Sequence, residues 1–143
     1  MLASVQDTQV LDLFAGSGAL GIEALSRGAR SAAFVDSAPA AVAAVRDNLE
    51  ALGLEASVVR RDALRFLAGA ANRAPQYDLV FLDPPYRLAS AVSRQLSVAL
   101  PPVLGPGARV VTESDRRTPL ELDLPLARER RYGDTLIRIH GPR

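Results

Sequence analysis

The sequence predicts a single α/β domain with a mostly parallel seven-stranded sheet, helices on both faces and an antiparallel C-terminal hairpin. Three observations lead to this prediction. Short β-type runs alternate with helix-type segments from Gln9 to Thr112, which is the pattern of βαβ units. Tyr77–Leu82 is nearly all apolar, as a strand covered on both faces should be. The chain then closes with two strand-like runs around Gly133 and Asp134, which indicate a hairpin.

A glycine-rich turn separates the first predicted strand from the first helix. Gln9–Phe14 has the composition of a strand and is followed directly by that turn. Residues 19–27 predict a helix, which Gly28 stops. Ser31–Val35 is the second strand, and Asp36 ends it. Together these elements make the first βαβ unit.

Proline and glycine mark the next helix. Pro39 suits the first position of a helix, which should run to about Leu52, where a glycine stops it. Ala56–Arg60 is the third strand. Residues 63–67 predict a short helix after Asp62.

The last elements return the chain to the sheet. Tyr77–Leu82 is the fourth strand, and residues 88–100 predict a helix that two prolines end. Ala108–Thr112 is the fifth strand. Leu126–Tyr132 and Thr135–His140 form the hairpin, which should add an antiparallel strand at or near the edge.

Composition narrows the class of protein. A chain of 143 residues, 48% hydrophobic and 23% charged, fits one folded domain over residues 1–143 and excludes wholesale disorder. Zero cysteines exclude disulfides, cysteine zinc sites and thiol catalysis, and they fit a cytoplasmic protein. No run of 18 apolar residues and no basic N-terminal leader occur, so neither a membrane span nor a signal peptide is expected. We also expect a monomer and no metal site.

The basic residues give little indication of a partner. All 17 are arginine, and the formal net charge is only +1. From residue 116 onward, seven arginines face four acids. Arg128, Arg130 and Arg138 occupy alternate strand positions, which is typical of a solvated sheet face, with phosphate contact as the alternative. His140, the only histidine, is expected at the surface or at an edge.

In such a sheet, ligands bind beyond the carboxyl ends of the strands, near the point where strand order reverses. Gly16, Gly18 and Gly21 follow the first strand as G-x-G-x-x-G and open a helix, which allows a tight turn and close approach of a ligand. Asp36 comes 20 positions after Gly16, where a carboxylate can accept hydrogen bonds from both ribose hydroxyls. The alternative is a glycine-rich turn that serves packing alone.

Asp12 decides between two classes of nucleotide ligand. It lies inside the first strand, where its charge would repel the pyrophosphate of NAD and attract a cationic group. S-adenosylmethionine has a sulfonium, an amino group, which suits Asp12, and a carboxylate, which suits the amides of the glycine loop. Asp62 and Ala63 follow the third strand, where they could hold an adenine, although Asp62 could instead, or also, cap the helix after it.

Asp83-Pro84-Pro85-Tyr86, at the end of the fourth strand, is the most specific feature of the chain. An exocyclic nucleobase amine is a poor nucleophile because its lone pair is delocalised into the ring. Acceptors such as Asp83 and the Pro84 carbonyl, aimed at its N–H bonds, favour the nucleophilic form. Tyr86 could stack on the base, and Arg87 could touch a substrate phosphate. The alternative is a tight turn capped by Asp83.

These features together resemble the class I S-adenosylmethionine-dependent methyltransferases, which have a Rossmann-like fold. The whole pattern is most similar to the bacterial 16S ribosomal RNA (guanine-N2)-methyltransferase family. The segments that carry this resemblance are Val10–Gly21, Glu23–Ala29, Asn48–Gly53, Asp78–Tyr86, Val110–Glu113 and Arg131–Thr135.

The resemblance implies a cytoplasmic enzyme that methylates 16S rRNA in partly assembled small ribosomal subunits. It implies positions for the target amine at Asp83, Pro84, Pro85 and Tyr86. It implies cofactor contacts at Asp12, Phe14, Ala15, Gly16, Gly18, Asp36, Ser37, Asp62, Ala63 and Asp83. Members of that family carry more residues before the first strand than the eight that precede Gln9, so cofactor affinity and RNA binding are expected to suffer.

Three alternatives remain open from the residues. The Asp-Pro-Pro-Tyr group is shared with enzymes that methylate adenine N6 or cytosine N4, although no separate target-recognition domain is evident here. A non-catalytic cofactor-binding module would keep the fold without turnover. An NAD-binding domain is disfavoured by Asp12 and by Asp83-Pro84-Pro85-Tyr86.

Overall fold

The computed structural model describes residues 4–73, 77–85 and 88–141. Its strands are β1 (Gln9–Leu13), β2 (Ser31–Asp36), β3 (Ser57–Arg60), β4 (Tyr77–Leu82), β5 (Leu104–Asp115), β6 (Leu126–Tyr132) and β7 (Thr135–His140). Its helices are α1 (Ala19–Ser26), α2 (Pro39–Ala51), α3 (Ala63–Arg73) and α4 (Ala89–Ala99). A 3₁₀ turn over Pro101–Val103 joins α4 to β5.

The strands form one seven-stranded sheet in the order β3-β2-β1-β4-β5-β7-β6. Neighbouring strands from β3 to β5 are parallel, whereas β7 runs antiparallel to both β5 and β6. The predicted fold class is therefore confirmed, including the C-terminal hairpin. Strand order reverses between β1 and β4, so the loops after these two strands lie side by side.

Side-chain alternation along β1 divides the core into two layers. Leu11 and Leu13 point to one face of the sheet and pack in the cluster that contains residues of α3 and α4. Val10 points to the other face and packs with Phe34 and with residues of α1 and α2. Because both faces of the central strands are covered, β1 and β4 are buried almost throughout.

Two elements are longer than predicted. Helix α3 continues to Arg73 instead of ending at residue 67, because the apolar face formed by Phe66 and Leu67 is extended by Ala70, which is fully buried. Strand β5 spans Leu104–Asp115 instead of residues 108–112. It gains length at its start by pairing with β4 across an irregularity, and at its end by pairing with β7 out to Asp115.

The hairpin corrects two expectations about individual residues. His140 is buried, not at the surface or an edge, because β7 lies between β5 and β6. Its Nδ1 lies 3.2 Å from the carbonyl oxygen of Leu124. Arg138 does not share a face with Arg128 and Arg130, because it stands directly opposite Glu129 in the β6–β7 register. Its guanidinium forms ion pairs with Glu129 and Glu121.

Within the part of the chain that the structure describes, no helix is long and apolar enough to cross a membrane. The same residues contain no group of three or more side chains that could hold a metal ion.

Candidate active site

A cleft of about 620 Å³ opens at the carboxyl ends of the parallel strands, where strand order reverses. It brings together residues that are far apart in the chain, because parallel strands present their carboxyl ends at one edge of the sheet. The predicted site residues that line it are Asp12, Phe14, Ala15, Gly16, Asp36, Ser37, Asp62, Ala63, Asp83, Pro84 and Pro85. Tyr86 and Arg87 lie outside the described residues.

The turn after β1 adopts backbone conformations that favour glycine. Phe14, Gly16 and Gly18 have φ angles of 59°, 58° and 82°. Of these three residues, Phe14 adopts the least favourable backbone conformation, because a residue with a bulky side chain rarely occupies the left-handed region. The amide of Ala15 donates to the carbonyl of Val35, which fixes the turn against β2.

Gly18 is not among the residues that line the cleft. A Cβ atom at this position would lie 3.2 Å from Val45 and 3.3 Å from Phe34. The absence of a side chain therefore lets α1 start close to the sheet. Its role in contacting a cofactor stays a prediction.

Asp12 is buried in β1, and its Oδ2 accepts a hydrogen bond of 3.0 Å from the Gly21 amide in the first turn of α1. Burial raises the pKa of Asp12 to about 7, the hydrogen bond from Gly21 partly opposes this, and the charges of Asp83 and Asp36 add to the rise. A buried carboxyl group poised near neutrality is suited to receive a cation that enters the cleft.

Asp36 holds the glycine-rich turn as well as lining the cleft. Its two carboxylate oxygens accept hydrogen bonds from the amides of Gly16, at 3.0 Å, and Ala38, at 2.9 Å. Each oxygen keeps a second lone pair for a ligand. The amide of Gly18 donates to the carbonyl of Ala15. The amides of Gly16 and Gly18 thus donate to acceptors within the protein, and the prediction that amides of the glycine loop hold a ligand carboxylate stays a prediction.

Asp62 caps α3 and also lines the cleft, so both predicted roles are compatible. Its Oδ2 accepts a hydrogen bond of 3.1 Å from the amide of Arg65. Ala63, the next residue, is buried in the cleft wall. An adenine placed here would meet one polar side chain and one small apolar side chain.

Asp83 follows β4 directly and stands at the junction of the cleft with a smaller cavity of about 210 Å³. Partial burial raises the pKa of Asp83 to about 6, and the charge of Glu113 adds to the rise. The carbonyl of Pro85 accepts a hydrogen bond from the Leu88 amide, which ties the start of α4 to the Pro-Pro turn.

The cleft also contains side chains to which the sequence assigned no role. Leu20, Arg61, Leu88 and Glu113 all line it. Arg61 directly follows β3, and Glu113 directly follows the predicted end of β5 at Thr112, so the rule that located Asp36 and Asp83 could have located them too. Asn48 lies outside the cleft, where its side chain donates to the Ser17 carbonyl and braces the turn from α2.

The cleft is strongly acidic. Its described lining residues include five carboxyl groups (Asp12, Asp36, Asp62, Asp83 and Glu113) and one guanidinium group, that of Arg61. This balance favours a ligand with positive charge and disfavours one that brings a pyrophosphate.

Comparison with known proteins places this arrangement in a family. A family model described as "Conserved hypothetical protein 95" matches residues 1–141. "Putative rRNA methyltransferase YlbH" of Bacillus subtilis is 41% identical over 138 residues, covering 93% of this chain and 75% of that protein. "Ribosomal RNA small subunit methyltransferase D" of Haemophilus influenzae is 32% identical over 123 residues, covering 84% of this chain and 63% of that protein.

Solved structures agree with the fold. "Putative methyltransferase yhhF from Escherichia coli" has a TM-score of 0.78 and 34% identity, covering 96% of this chain and 76% of that one. "SMU.776, a putative methyltransferase complexed with SAH" has a TM-score of 0.81 at 15% identity, covering 98% of this chain and 46% of that one, a likeness of fold alone. On the match of residues 1–141, the chain belongs to the family described as conserved hypothetical protein 95.

Proposed function

We propose that this protein transfers a methyl group from S-adenosylmethionine to the exocyclic N2 amine of a guanine in 16S rRNA of the small ribosomal subunit. The observation that carries the proposal is the convergence of Asp12, Asp36 and Asp83 on one acidic cleft around a glycine-rich turn. Each is the type of residue that one part of the reaction requires.

The cleft residues fit S-adenosylmethionine, which would supply a methyl group on a positively charged sulfur. Asp12 would pair with the amino group of the cofactor, because its buried carboxyl gains a counterion in ionising. Asp36 would accept the ribose hydroxyls with the lone pairs that Gly16 and Ala38 leave open. Asp62 and Ala63 would hold the adenine. Ala19 and Leu20, at the positive end of α1, line the cleft where the cofactor carboxylate would lie.

Asp83 would orient the amine that receives the methyl group. As an ionised acceptor it would take a hydrogen bond from the amine and direct the nitrogen lone pair into the cleft. A new N–C bond would form on that nitrogen as the C–S bond breaks, and the surplus N–H proton would leave to Asp83 or to water. Holding both reactants in line would supply much of the rate acceleration.

The choice of ribosomal RNA as substrate is supported by the relatives. The B. subtilis protein is named for rRNA and the H. influenzae protein for small-subunit rRNA. The chain spans less than two thirds of the H. influenzae protein. The assignment of the guanine N2 amine as the methylated group rests on the resemblance of the sequence segments to the bacterial 16S ribosomal RNA (guanine-N2)-methyltransferase family.

The test uses labelled S-adenosylmethionine and small ribosomal subunits from a strain that lacks this modification. The RNA is digested and the labelled nucleoside is identified. Labelled N2-methylguanosine is expected. Labelled N6-methyladenosine or N4-methylcytidine would replace guanine with the alternative target, and absence of label with cofactor binding intact would count against turnover on this substrate.

A titration with S-adenosylmethionine and NADH runs in parallel. Binding of NADH without binding of S-adenosylmethionine would overturn the cofactor assignment.

A further inference from the structure

Glu113 and Asp83 occupy equivalent positions on neighbouring strands. In the parallel register of β4 and β5, Leu82 stands opposite Thr112, so Asp83 and Glu113 are the next residues along each strand. Both side chains line the main cleft, and both line the smaller cavity beside it. The two carboxyl groups thus stand together where the two cavities join.

The charge of Glu113 is directed at Asp83 and is not neutralised by an arginine among residues 4–73, 77–85 and 88–141. It is one of the causes of the raised pKa of Asp83. Two other acids that line the smaller cavity are paired instead. Asp115 forms an ion pair with Arg117, and Asp134 forms one with Arg116. Asp83 and Glu113 are therefore a pair of adjacent acceptors held at the mouth of the cleft.

Two adjacent acceptors match the Watson–Crick edge of one nucleobase. Guanine presents two neighbouring donors there, the ring N1–H and the N2 amine. Adenine and cytosine present an amine next to a ring nitrogen that is itself an acceptor. Placed against two carboxylates, either of these bases would set the lone pair of its ring nitrogen against a carboxylate lone pair, and this repulsion disfavours both bases.

Resting on the function proposed above, we infer that Glu113 selects guanine: its carboxylate accepts the N1–H of the target base while Asp83 accepts an N–H of the N2 amine. Bases that enzymes modify are commonly read through this edge after they leave the stack. The charge of Glu113 has a second effect, because it keeps the proton affinity of Asp83 high. Removing the charge should therefore alter the pH profile as well as the specificity.

The experiment compares Glu113→Ala and Glu113→Gln with the wild type on small ribosomal subunits, with Glu55→Ala as the matched control. Glu55 is exposed and does not line either cavity. Glu113→Ala should lower kcat/KM for guanine methylation about 100-fold. Glu113→Gln keeps a carbonyl acceptor and should retain activity within about tenfold of the wild type. Cofactor affinity, measured by calorimetry, should change less than about threefold in both variants.

The pH profile separates this role from a structural one. In both Glu113 variants the acidic limb of the rate profile should move to lower pH, because Asp83 then ionises more readily. Wild-type kcat/KM in Glu113→Ala, or a loss explained by weaker cofactor binding, would overturn the role of Glu113 and leave the proposed function standing. If the wild type labels adenine or cytosine, both the guanine assignment and the role of Glu113 fail.

Discussion

Asp12 places a carboxyl group where the sheet would otherwise hold an apolar side chain. It points to the same face of β1 as Val10 and is bonded to the amide of Gly21. Its raised pKa means that the folded protein resists its ionisation at neutral pH. The folded protein thus loses stability when Asp12 ionises, and we interpret this loss as the consequence of keeping a cation-binding group inside the cleft.

Asp12→Asn should therefore make the protein more stable at pH 8. A group whose pKa is raised on folding stabilises the protein below its unfolded pKa, and this stability is lost as pH rises from about 4 to about 7. The rise in the pKa of Asp12 corresponds to about 4 kcal/mol of unfolding free energy at most. Asparagine keeps an oxygen that can accept the hydrogen bond from the Gly21 amide. Urea unfolding of the variant and the wild type at pH 8 and at pH 4 measures the difference in their unfolding free energies. Equal stability of the two proteins at pH 8 would contradict the prediction, and the variant should bind the cofactor more weakly.

Asp83→Ala should abolish methyl transfer while leaving cofactor binding nearly intact. In the wild type the rate should rise with pH through about 6 and then level off, because the ionised carboxylate is the acceptor that orients the amine. Asp47→Ala, an exposed change on α2, is the control. Activity within a few-fold of the wild type in Asp83→Ala would remove the assignment of Asp83 as a catalytic residue.

Asp36→Ala should weaken cofactor binding by about 1–3 kcal/mol, because charge-assisted hydrogen bonds to the ribose are lost. The same change frees the amides of Gly16 and Ala38, so the turn also loses its anchor. Calorimetry with S-adenosylmethionine measures the affinity, again with Asp47→Ala as the control. An unchanged affinity would argue against the ribose contact.

The site residues that the sequence could predict follow strands with a strong apolar pattern. Asp36 and Asp83 end such strands, and both line the cleft. Glu113 directly follows the predicted end of β5, so the same rule could have located it, but nothing in the sequence shows the register that brings it beside Asp83. The hydrogen bond from the Gly16 amide to Asp36 could not be predicted from the sequence either, because it depends on the path of the turn.

Helix α1 depends on a close approach to the sheet at Gly21. A Cβ atom built on Gly21 would lie 2.4 Å from Cε1 of Phe34, whereas one built on Gly69 in α3 would meet only an arginine tip at 3.9 Å. Alanine is intrinsically better than glycine in a helix by about 1 kcal/mol. Replacing each of the two glycines by alanine therefore compares a crowded position with an open one.

Gly21→Ala should destabilise the protein by about 1–3 kcal/mol, because Phe34 must move or α1 must lift. Gly69→Ala should instead stabilise it by about 0.5–1 kcal/mol. Thermal and urea unfolding of both variants measure the difference. A Gly21→Ala variant as stable as Gly69→Ala would show that the packing between α1 and β2 yields without cost.

Element lengths were predictable where local residues set them. Pro39 marks the start of α2 as expected, and β6 and β7 have the predicted bounds. The full length of β5 was not predictable, because its ends are set by partners that lie far away in the chain. Helix α3 extends through Gly69, a residue whose low helix propensity is offset by the burial of Ala70.

The molecule as a whole should respond to acid through His140 as well as through the cleft. Burial lowers the pKa of His140, a nearby Arg138 adds to this, and the bond to Leu124 partly opposes it. Below pH 6.5 the unfolded chain therefore binds a proton that the folded protein resists, so stability falls as pH decreases. Asp12 and Asp83 act in the opposite direction.

His140→Gln should remove the loss of folding stability that His140 causes as pH decreases. Glutamine can still donate to the carbonyl of Leu124, so the comparison with wild type isolates the titration. The difference in unfolding free energy between the two proteins should shift in favour of the variant between pH 7.5 and pH 5.5. A constant difference across this range would contradict the prediction.

The order of the strands leaves β6 and β3 at the two borders of the sheet, and this has a consequence for behaviour at high concentration. An unpaired border strand is a template for the same strand of another molecule, and growth by this route leads to aggregates. On β6, Arg130 and Arg131 are exposed, and pairing with a second copy of this strand would bring like charges together. Strand β3 has only four residues and ends in Arg60. We therefore expect the arginines of β6 and the shortness of β3 to disfavour association through the two borders of the sheet.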